Sequence, residues 1–266
     1  MTRTHGRHEL GQNFLVDHSV IDSILAIVAQ WPDAPLLELG AGDGALTAAL
    51  VALRRPMTVV ELDPRRAERL ASRFGDRVDV RHADMLATDL GTGADLVSNV
   101  PYGVTTPLLR RALRAPAWRH GLFLVQWEVA RKRAAVGGTT LLTAQWWPWF
   151  ELGLEGRVPA GSFRPRPSVD GGLLHVVRRE NPLVPESERV AYQRLVAAVF
   201  AGRGRGVVDV AGRITGRTVA HRWMVSQGLR ASTLPRDVDA AGWAALHLQR
   251  RREVRADGGG RRPRRR

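Results

Sequence analysis

The sequence predicts an α/β fold, a parallel sheet with helices on both faces, followed by a small helical domain. Three observations carry this. Short apolar runs alternate with helical stretches up to about residue 180; beyond that point helical periodicity continues without further strand runs; and a glycine-rich turn follows the first apolar run directly.

Residues 1–17, opening MTRTHGRHELG, read as a basic N-terminal arm. From His18 to Gln30 the apolar positions Val20, Ile21, Ile24, Leu25 and Val28 have helical spacing. Strands are expected over Leu36–Leu39, Thr58–Leu62, Val78–His82, Asp95–Ser98 and Leu122–Gln126, with Leu173–Val177 closing the sheet. Residues 18–180 form one domain on this reading, with its boundary near Arg179–Pro185. Residues 181–254 form a helical RNA-binding domain with helices over Glu188–Phe200, Val219–Gln227 and Ala240–Arg252, the Gly/Arg stretch 203–217 being a loop. Residues 255–266, ending GGGRRPRRR, read as a disordered basic tail.

Composition narrows the function. The chain has 266 residues and 44% hydrophobic content, enough for a packed core. Lys and Arg total 40 against 26 acids, a net charge of +14, and Lys132 is the one lysine. A GC-rich genome would explain arginine over lysine but not the excess over acids. The arginine fork matches phosphate and stacks on bases, so a polyanionic partner is expected. Without cysteine there is no disulfide framework and no thiolate metal site, and no metal is expected. There is no apolar run of roughly 18 residues and no apolar leader core, so a cytoplasmic protein without a membrane partner is expected.

The first chemical motif is LLELGAGDGAL, residues 36–46, in which a strand runs into Gly40, Gly42 and Gly44 and a helix begins. Glycines let a backbone turn tightly and approach a ligand. The spacing is neither the dinucleotide fingerprint nor a P-loop, which favours a nucleotide-like ligand without a phosphate grip; a purely structural turn is the alternative. Glu61 closes the next strand at the roughly 20-residue spacing where doubly wound folds place an acid on ribose hydroxyls. Asp84, in HADML, ends the third strand, in position to accept from an adenine amino group. Each acid taken singly is equally a solvated loop residue or a helix cap; four strand-end motifs in register are not coincidence.

The fourth is SNVPYG, residues 98–103. Pro101 ends ladder pairing and leaves Asn99 and Tyr102 just past the strand. An amide and a phenol ring beside a nucleoside-like ligand suit a planar substrate with an exocyclic amine. Asn99 and the Val100 carbonyl accept its two hydrogens and Tyr102 stacks on the ring. Acceptors holding both hydrogens favour a pyramidal, more nucleophilic nitrogen.

GQNFLVD (11–17), ELGAGDG (38–44), ELD (61–63), ADML (83–86), NVPYGVTTPLL (99–109) and FRPRPSVDGGLL (163–174) together resemble the ribosomal RNA adenine-N6 methyltransferases. These comprise the Erm macrolide-resistance enzymes and the housekeeping small-subunit dimethyltransferases. LVQWEVARKRA (124–134) and GGTTLLTAQWWPWFE, ending at Glu151, look more like the Erm branch, although Trp146, Trp147 and Trp149 equally suit a core. The resemblance implies a Rossmann-like S-adenosylmethionine-dependent methyltransferase domain with a small all-helical C-terminal domain. It implies N6-methylation of an adenine in the peptidyl-transferase loop of 23S rRNA by a monomer, conferring macrolide-type resistance. Position by position, Gln12, Asn13 and the Leu15 backbone would hold the methionine end of the cofactor. Gly40 and Gly42 would line it, Glu61 would bind ribose and Asp84 adenine. Asn99, which also borders the cofactor, Val100, Pro101 and Tyr102 would hold the target amine, and Phe163 would close over the base. Ser98 stands where many relatives have glycine or another small residue, and little consequence is expected.

For RNA phosphates the expected contacts are Arg110, Arg111, Arg114, Arg131, Lys132 and Arg133, against a solvated charged face. The rivals are a small-subunit rRNA dimethyltransferase, a small-molecule N-methyltransferase, which would not need the charge, and a non-catalytic RNA-binding relative.

Overall fold

Five parallel strands carry the motifs. The structure, a computed structural model, describes residues 13–259, with side chains through Val254. Gln12, the rest of the N-terminal arm before it, and the tail from residue 260 lie outside the described residues. Strands β2 (Leu36–Leu39), β3 (Met57–Glu61), β4 (Asp79–His82), β5 (Asp95–Asn99) and β6 (His120–Gln126) pair in parallel. With β9 (Gly171–Arg178), antiparallel to β6, and β7 (Phe150–Val158) outside it, they make a seven-stranded sheet of order β4-β3-β2-β5-β6-β9-β7. All four residues of β2 are buried, as expected of a strand covered on both faces. The chain runs outward from β2 to β4, then returns to β5 and continues the other way. The carboxyl ends of β2 and β5 therefore flank a topological switch point, where open α/β sheets hold ligands.

Local chemistry sets the helix starts. Asp17 caps α1 (His18–Ala29) and also accepts from Ser162 Oγ at 2.7 Å. Gly44, in a left-handed conformation, begins α2 (Ala45–Leu50). Asp63 caps α3 (Pro64–Phe74) through the amides of Arg65 and Arg66, with Pro64 in the first turn, where its missing N–H costs nothing. α4 (Thr105–Arg114) and α5 (Trp127–Arg133) follow β5 and β6. Buried Asp95 accepts from the amides of Arg119 and His120 at 3.1 and 2.8 Å, tying the entry of β6 to β5. A small ladder joins β1 (Phe14–Leu15) to β8 (Phe163–Arg164).

The chain divides into two compact units: residues through Arg131 with Gly153–Arg178, and Lys132–Leu152 with the residues from Arg179 onward. Sequence reasoning placed residues 132–152 in the sheet domain. The structure allots them to the helical unit because α6 (Leu141–Trp146) and the turn after it supply that unit's core. Trp146 and Trp149 meet edge-to-face at 6.4 Å, and Trp149 meets Tyr192 of α7 (Arg189–Ala201) at 5.4 Å. Gln145 and Gln193 exchange side-chain-to-carbonyl hydrogen bonds at 3.2 Å.

Three further expectations are corrected. β7 was not foreseen: two glycines and alternating charges break its apolar run, and most of its residues are partly or fully exposed. Within the stretch expected as a loop, α8 (Val207–Thr215) is a helix, burying Val207, Val210 and Ala211 at helical spacing, and α9 (Arg217–Ser226) starts right after it. The last helix, α10 (Ala240–Gly259), runs past Arg252, so the segment 255–259, expected to be disordered, is helical.

Candidate active site

The strand ends converge on one cavity of about 790 Å³ in the first unit. Its lining includes Asn13 and Leu15 from the entry segment, Gly40 and Gly42 after β2, Glu61 at the end of β3 and Asp84 after β4. Asn99, Val100, Pro101 and Tyr102, at and after the end of β5, complete the set. Ten of the residues singled out in the sequence thus meet in space.

The glycine turn is shaped by close approaches. Gly40 has φ +76°, and a Cβ there would lie 2.5 Å from Met85 Cε; at Gly42, φ +57°, it would lie 2.9 Å from the Phe14 ring. A side chain at either position would be strained by its backbone and would intrude on its neighbours. Glu61, 3% exposed, braces the turn: Oε2 accepts from Gly42 N at 2.7 Å and Oε1 from Asp63 N at 2.9 Å. Each oxygen keeps a second acceptor site toward a ligand. Asp84 is exposed on the wall and accepts from Leu86 N at 2.7 Å.

Asn99 is positioned from the other end of the motif set. Its Nδ2 donates to the Asn13 carbonyl at 2.9 Å, which leaves the amide oxygen as the acceptor available to a ligand. Val100 N donates to the Leu124 carbonyl, and Ser98 Oγ to the Leu39 carbonyl at 2.7 Å. Ser98 therefore pins β5 to β2 beneath the site. Tyr102 is half-buried, and its hydroxyl is buried without a hydrogen-bond partner. Burial, with the Asp170 charge adding to it, raises the phenol pKa.

The structure does not bring Phe163 to this cavity. Its ring is fully buried in the core of the first unit, and Leu15 is its ladder partner. Of the basic residues expected to meet phosphate, Arg110, Arg114 and Lys132 are exposed. Arg111 is turned onto the Thr88 carbonyl at 2.6 Å, Arg131 pairs with Glu128 at 3.2 Å, and Arg133 donates to Thr140 Oγ1 at 2.9 Å.

Sequence reasoning missed Glu38. It lines the cavity at 2% exposure and accepts from Thr47 Oγ1 at 2.6 Å. Burial, opposed by the Thr47 hydrogen bond and reinforced by the charge of Glu61, pushes its carboxyl up to about 7. The signal was an acid inside the apolar run LLEL. Leu62, 48% exposed on the cavity wall, was missed as well; an exposed leucine directly after the strand-end acid was the available sign. Among the described residues, no cluster of His, Asp and Glu suits a metal ion, and no helix is long and apolar enough to cross a membrane.

A family model for ribosomal RNA adenine dimethylases matches residues 3–245. The mycinamicin-resistance protein MyrB of Micromonospora griseorubida is 51% identical over 244 residues, 91% of this chain and 78% of that protein. An rRNA adenine N-6-methyltransferase of Corynebacterium diphtheriae is 46% identical over 208 residues, 77% of this chain and 82% of that one. Among solved structures, the 23S rRNA methyltransferase ErmE matches with a TM-score of 0.82 and 30% identity, over 89% of this chain and 99% of that one.

Proposed function

The chain belongs to the ribosomal RNA adenine dimethylase family, and from that premise we propose that it N6-methylates an adenine in the peptidyl-transferase loop of 23S rRNA, conferring macrolide-type resistance. As a family member it is an S-adenosylmethionine-dependent rRNA adenine methyltransferase. The 51% identity to a mycinamicin-resistance protein supports the resistance, and the match to the 23S rRNA methyltransferase ErmE is the observation that carries the choice of target. We place it in the cytoplasm as a monomer.

The residues fit the cofactor. A Cβ at Gly40 or Gly42 would press on Met85 or Phe14, which line the same cavity, and the buried acids Glu38 and Glu61 give the cavity a floor suited to hydroxyls and a cationic centre. When bound, S-adenosylmethionine supplies an electrophilic methyl on a sulfonium. On this reading Glu61 would accept from the ribose hydroxyls and Asp84 from the adenine amine. Leu62 would pack on the base, and Asn13 and Leu15 would border the methionine end.

The chain's remaining task is to present a poor nucleophile. The target amine shares its lone pair with the adenine ring. Asn99 Oδ1 and the Val100 carbonyl accept its two hydrogens, which favours the pyramidal nitrogen and its developing positive charge. The hydrogen bond from Asn99 to the Asn13 carbonyl prevents the amide from flipping to present its NH2 instead. Tyr102 stacks on the base, and Pro101 keeps the turn between them short. Positioning of the amine by Asn99, Val100 and Tyr102 would supply the rest, and the proton of the methylated nitrogen would pass to solvent.

The test is transfer of labelled methyl from S-adenosylmethionine to naked 23S rRNA and, in parallel, to small-subunit particles, with primer extension to locate the modified base. A stop at one adenine of the peptidyl-transferase loop, with resistance on expression in a sensitive bacterium, is the expected result. Methylation confined to small-subunit particles would overturn the target.

A further inference from the structure

A second cavity, of about 680 Å³, lies in the same unit and shares no residue with the first. Gln126 at the end of β6, Trp127 and Glu128 at the start of α5, Arg157 on β7 and the segment 166–170 line it. Trp127 is half-buried, and the Arg157 guanidinium lies over its ring at 5.3 Å. Arg157 is fixed in turn by Asp170 Oδ2 at 2.7 Å. Asp170 Oδ1 accepts from Ala160 N at 2.8 Å, and its carbonyl accepts from Trp127 N at 2.9 Å. Gly172 on β9 makes room for the indole: a Cβ there would lie 3.1 Å from Trp127 Cε3.

Two things connect this cavity with RNA beside the target base. Tyr102, which lines the first cavity, is within electrostatic reach of Asp170, which lines the second. The second cavity also combines what a nucleotide needs: an aromatic face under a guanidinium, exposed Arg166 at the rim, and the Glu128 and Asp170 carboxylates as acceptors for base amines. A ring held by a fixed ion pair in a chain of net charge +14 is a stacking platform for any base, since every base has a π face.

We propose that this cavity is a subsite for the nucleotide adjoining the target adenine, its base stacked on the Trp127–Arg157 pair and its phosphate at Arg166. The inference rests on the RNA-methylating function above. Seating the neighbour here holds the strand open while the target base lies in the first cavity, so unstacking one base is offset by restacking the next.

The experiment uses the full chain with S-adenosylhomocysteine and a 23S rRNA hairpin carrying 2-aminopurine on one or the other side of the target adenine. Binding is expected to quench the probe on one side only; Trp127→Ala should restore its fluorescence and Trp127→Phe should not. In turnover, Trp127→Ala should lower kcat/KM for the hairpin roughly ten- to a hundredfold, the span of base–aromatic stacking, mostly through KM and with cofactor affinity unchanged. An abasic residue at that same neighbour should cost the wild type a similar factor and the Trp127→Ala variant nothing further. Equal abasic penalties in both proteins, or a probe indifferent to Trp127 on both sides, would overturn the subsite. Arg166→Ala, at an exposed residue, keeps the test open if the Trp127 variant fails to fold. It should lower the slope of log affinity against log salt by about 0.7, and an unchanged slope counts against the phosphate contact. A chain that methylates the hairpin but fails these tests loses the subsite alone. One that methylates no RNA loses the function it rests on as well.

Discussion

The chain has two tyrosines, and the two units use them in opposite ways. Tyr192, in the helical unit, is fully buried and its hydroxyl donates to the Ala144 carbonyl at 2.7 Å. Tyr102, in the sheet unit, is half-buried at a cavity wall with a hydroxyl that has no partner. The tryptophans of the helical unit share its burial: Trp149, Trp223 and Trp243 are buried, Trp223 Nε1 donating to the Gly242 carbonyl at 2.7 Å while Nε1 of Trp149 and of Trp243 is buried without a hydrogen-bond partner. An aromatic whose ring is buried on all sides is core, whether or not its polar tip finds a partner; an aromatic at a cavity wall is available to a ligand. The tryptophan-rich segment that marks the family is thus architecture, and the recognition chemistry lies at the strand ends.

The largest effect that would break this contrast is in the helical core. Trp149→Ala should cost about 3–5 kcal/mol of stability, read by denaturant unfolding, because it removes a large ring packed on Trp146 and Tyr192. A near-neutral result would mean that the segment is not core. On the sheet side, Asn99→Ala should lower kcat roughly 10²–10³-fold, the scale for losing one group aimed at developing charge, with a much smaller change in cofactor affinity by calorimetry. Equal losses in both would make Asn99 a cofactor ligand rather than a holder of the amine.

Glu38 sharpens the contrast through pH. Its folded pKa of about 7 lies above the ordinary value of 4.5, so the folded state holds the proton more tightly. The stability this contributes is fully present below about pH 4.5 and is lost as pH rises through about 7, on the order of 3 kcal/mol in all. Glu38→Gln, which still accepts from Thr47, should flatten Tm of the cofactor-free protein across that window, leaving the variant more stable than wild type at pH 8. An unchanged slope would place the titration elsewhere.

The tyrosines themselves give the smaller effects. Tyr192→Phe should cost about 1–3 kcal/mol in unfolding free energy, since it leaves the buried Ala144 carbonyl unpaired. Tyr102→Phe should change methyl transfer by no more than a few-fold, because stacking needs only the ring; Tyr102→Ala should be much worse. An inactive Tyr102→Phe enzyme would give the hydroxyl a role in turnover.

Much of the site was legible in advance because its elements are local. The G-x-G-x-G turn needs left-handed backbone whatever surrounds it, Pro64 and Asp63 start a helix by themselves, and Pro101 ends a strand wherever it stands. The alternation of apolar runs and helical periods therefore determined the α/β class, and the strand-end residues determined that Gly40, Gly42, Glu61, Asp84 and Asn99 would gather at one crevice. What tertiary structure alone decided involves partners distant in sequence. The Asn13 carbonyl sets which face of the Asn99 amide is offered, burial with the Glu61 charge adding to it raises Glu38 against the Thr47 hydrogen bond, and the β1–β8 ladder places Phe163 in the core. Residues 132–152 join the helical unit because Tyr192 packs on their tryptophans, and β7 forms as a strand although its own sequence carries two glycines and little apolar pattern. Periodicity and turn chemistry report what a residue requires of its own backbone, whereas burial, amide orientation and proton affinity report what is packed against it.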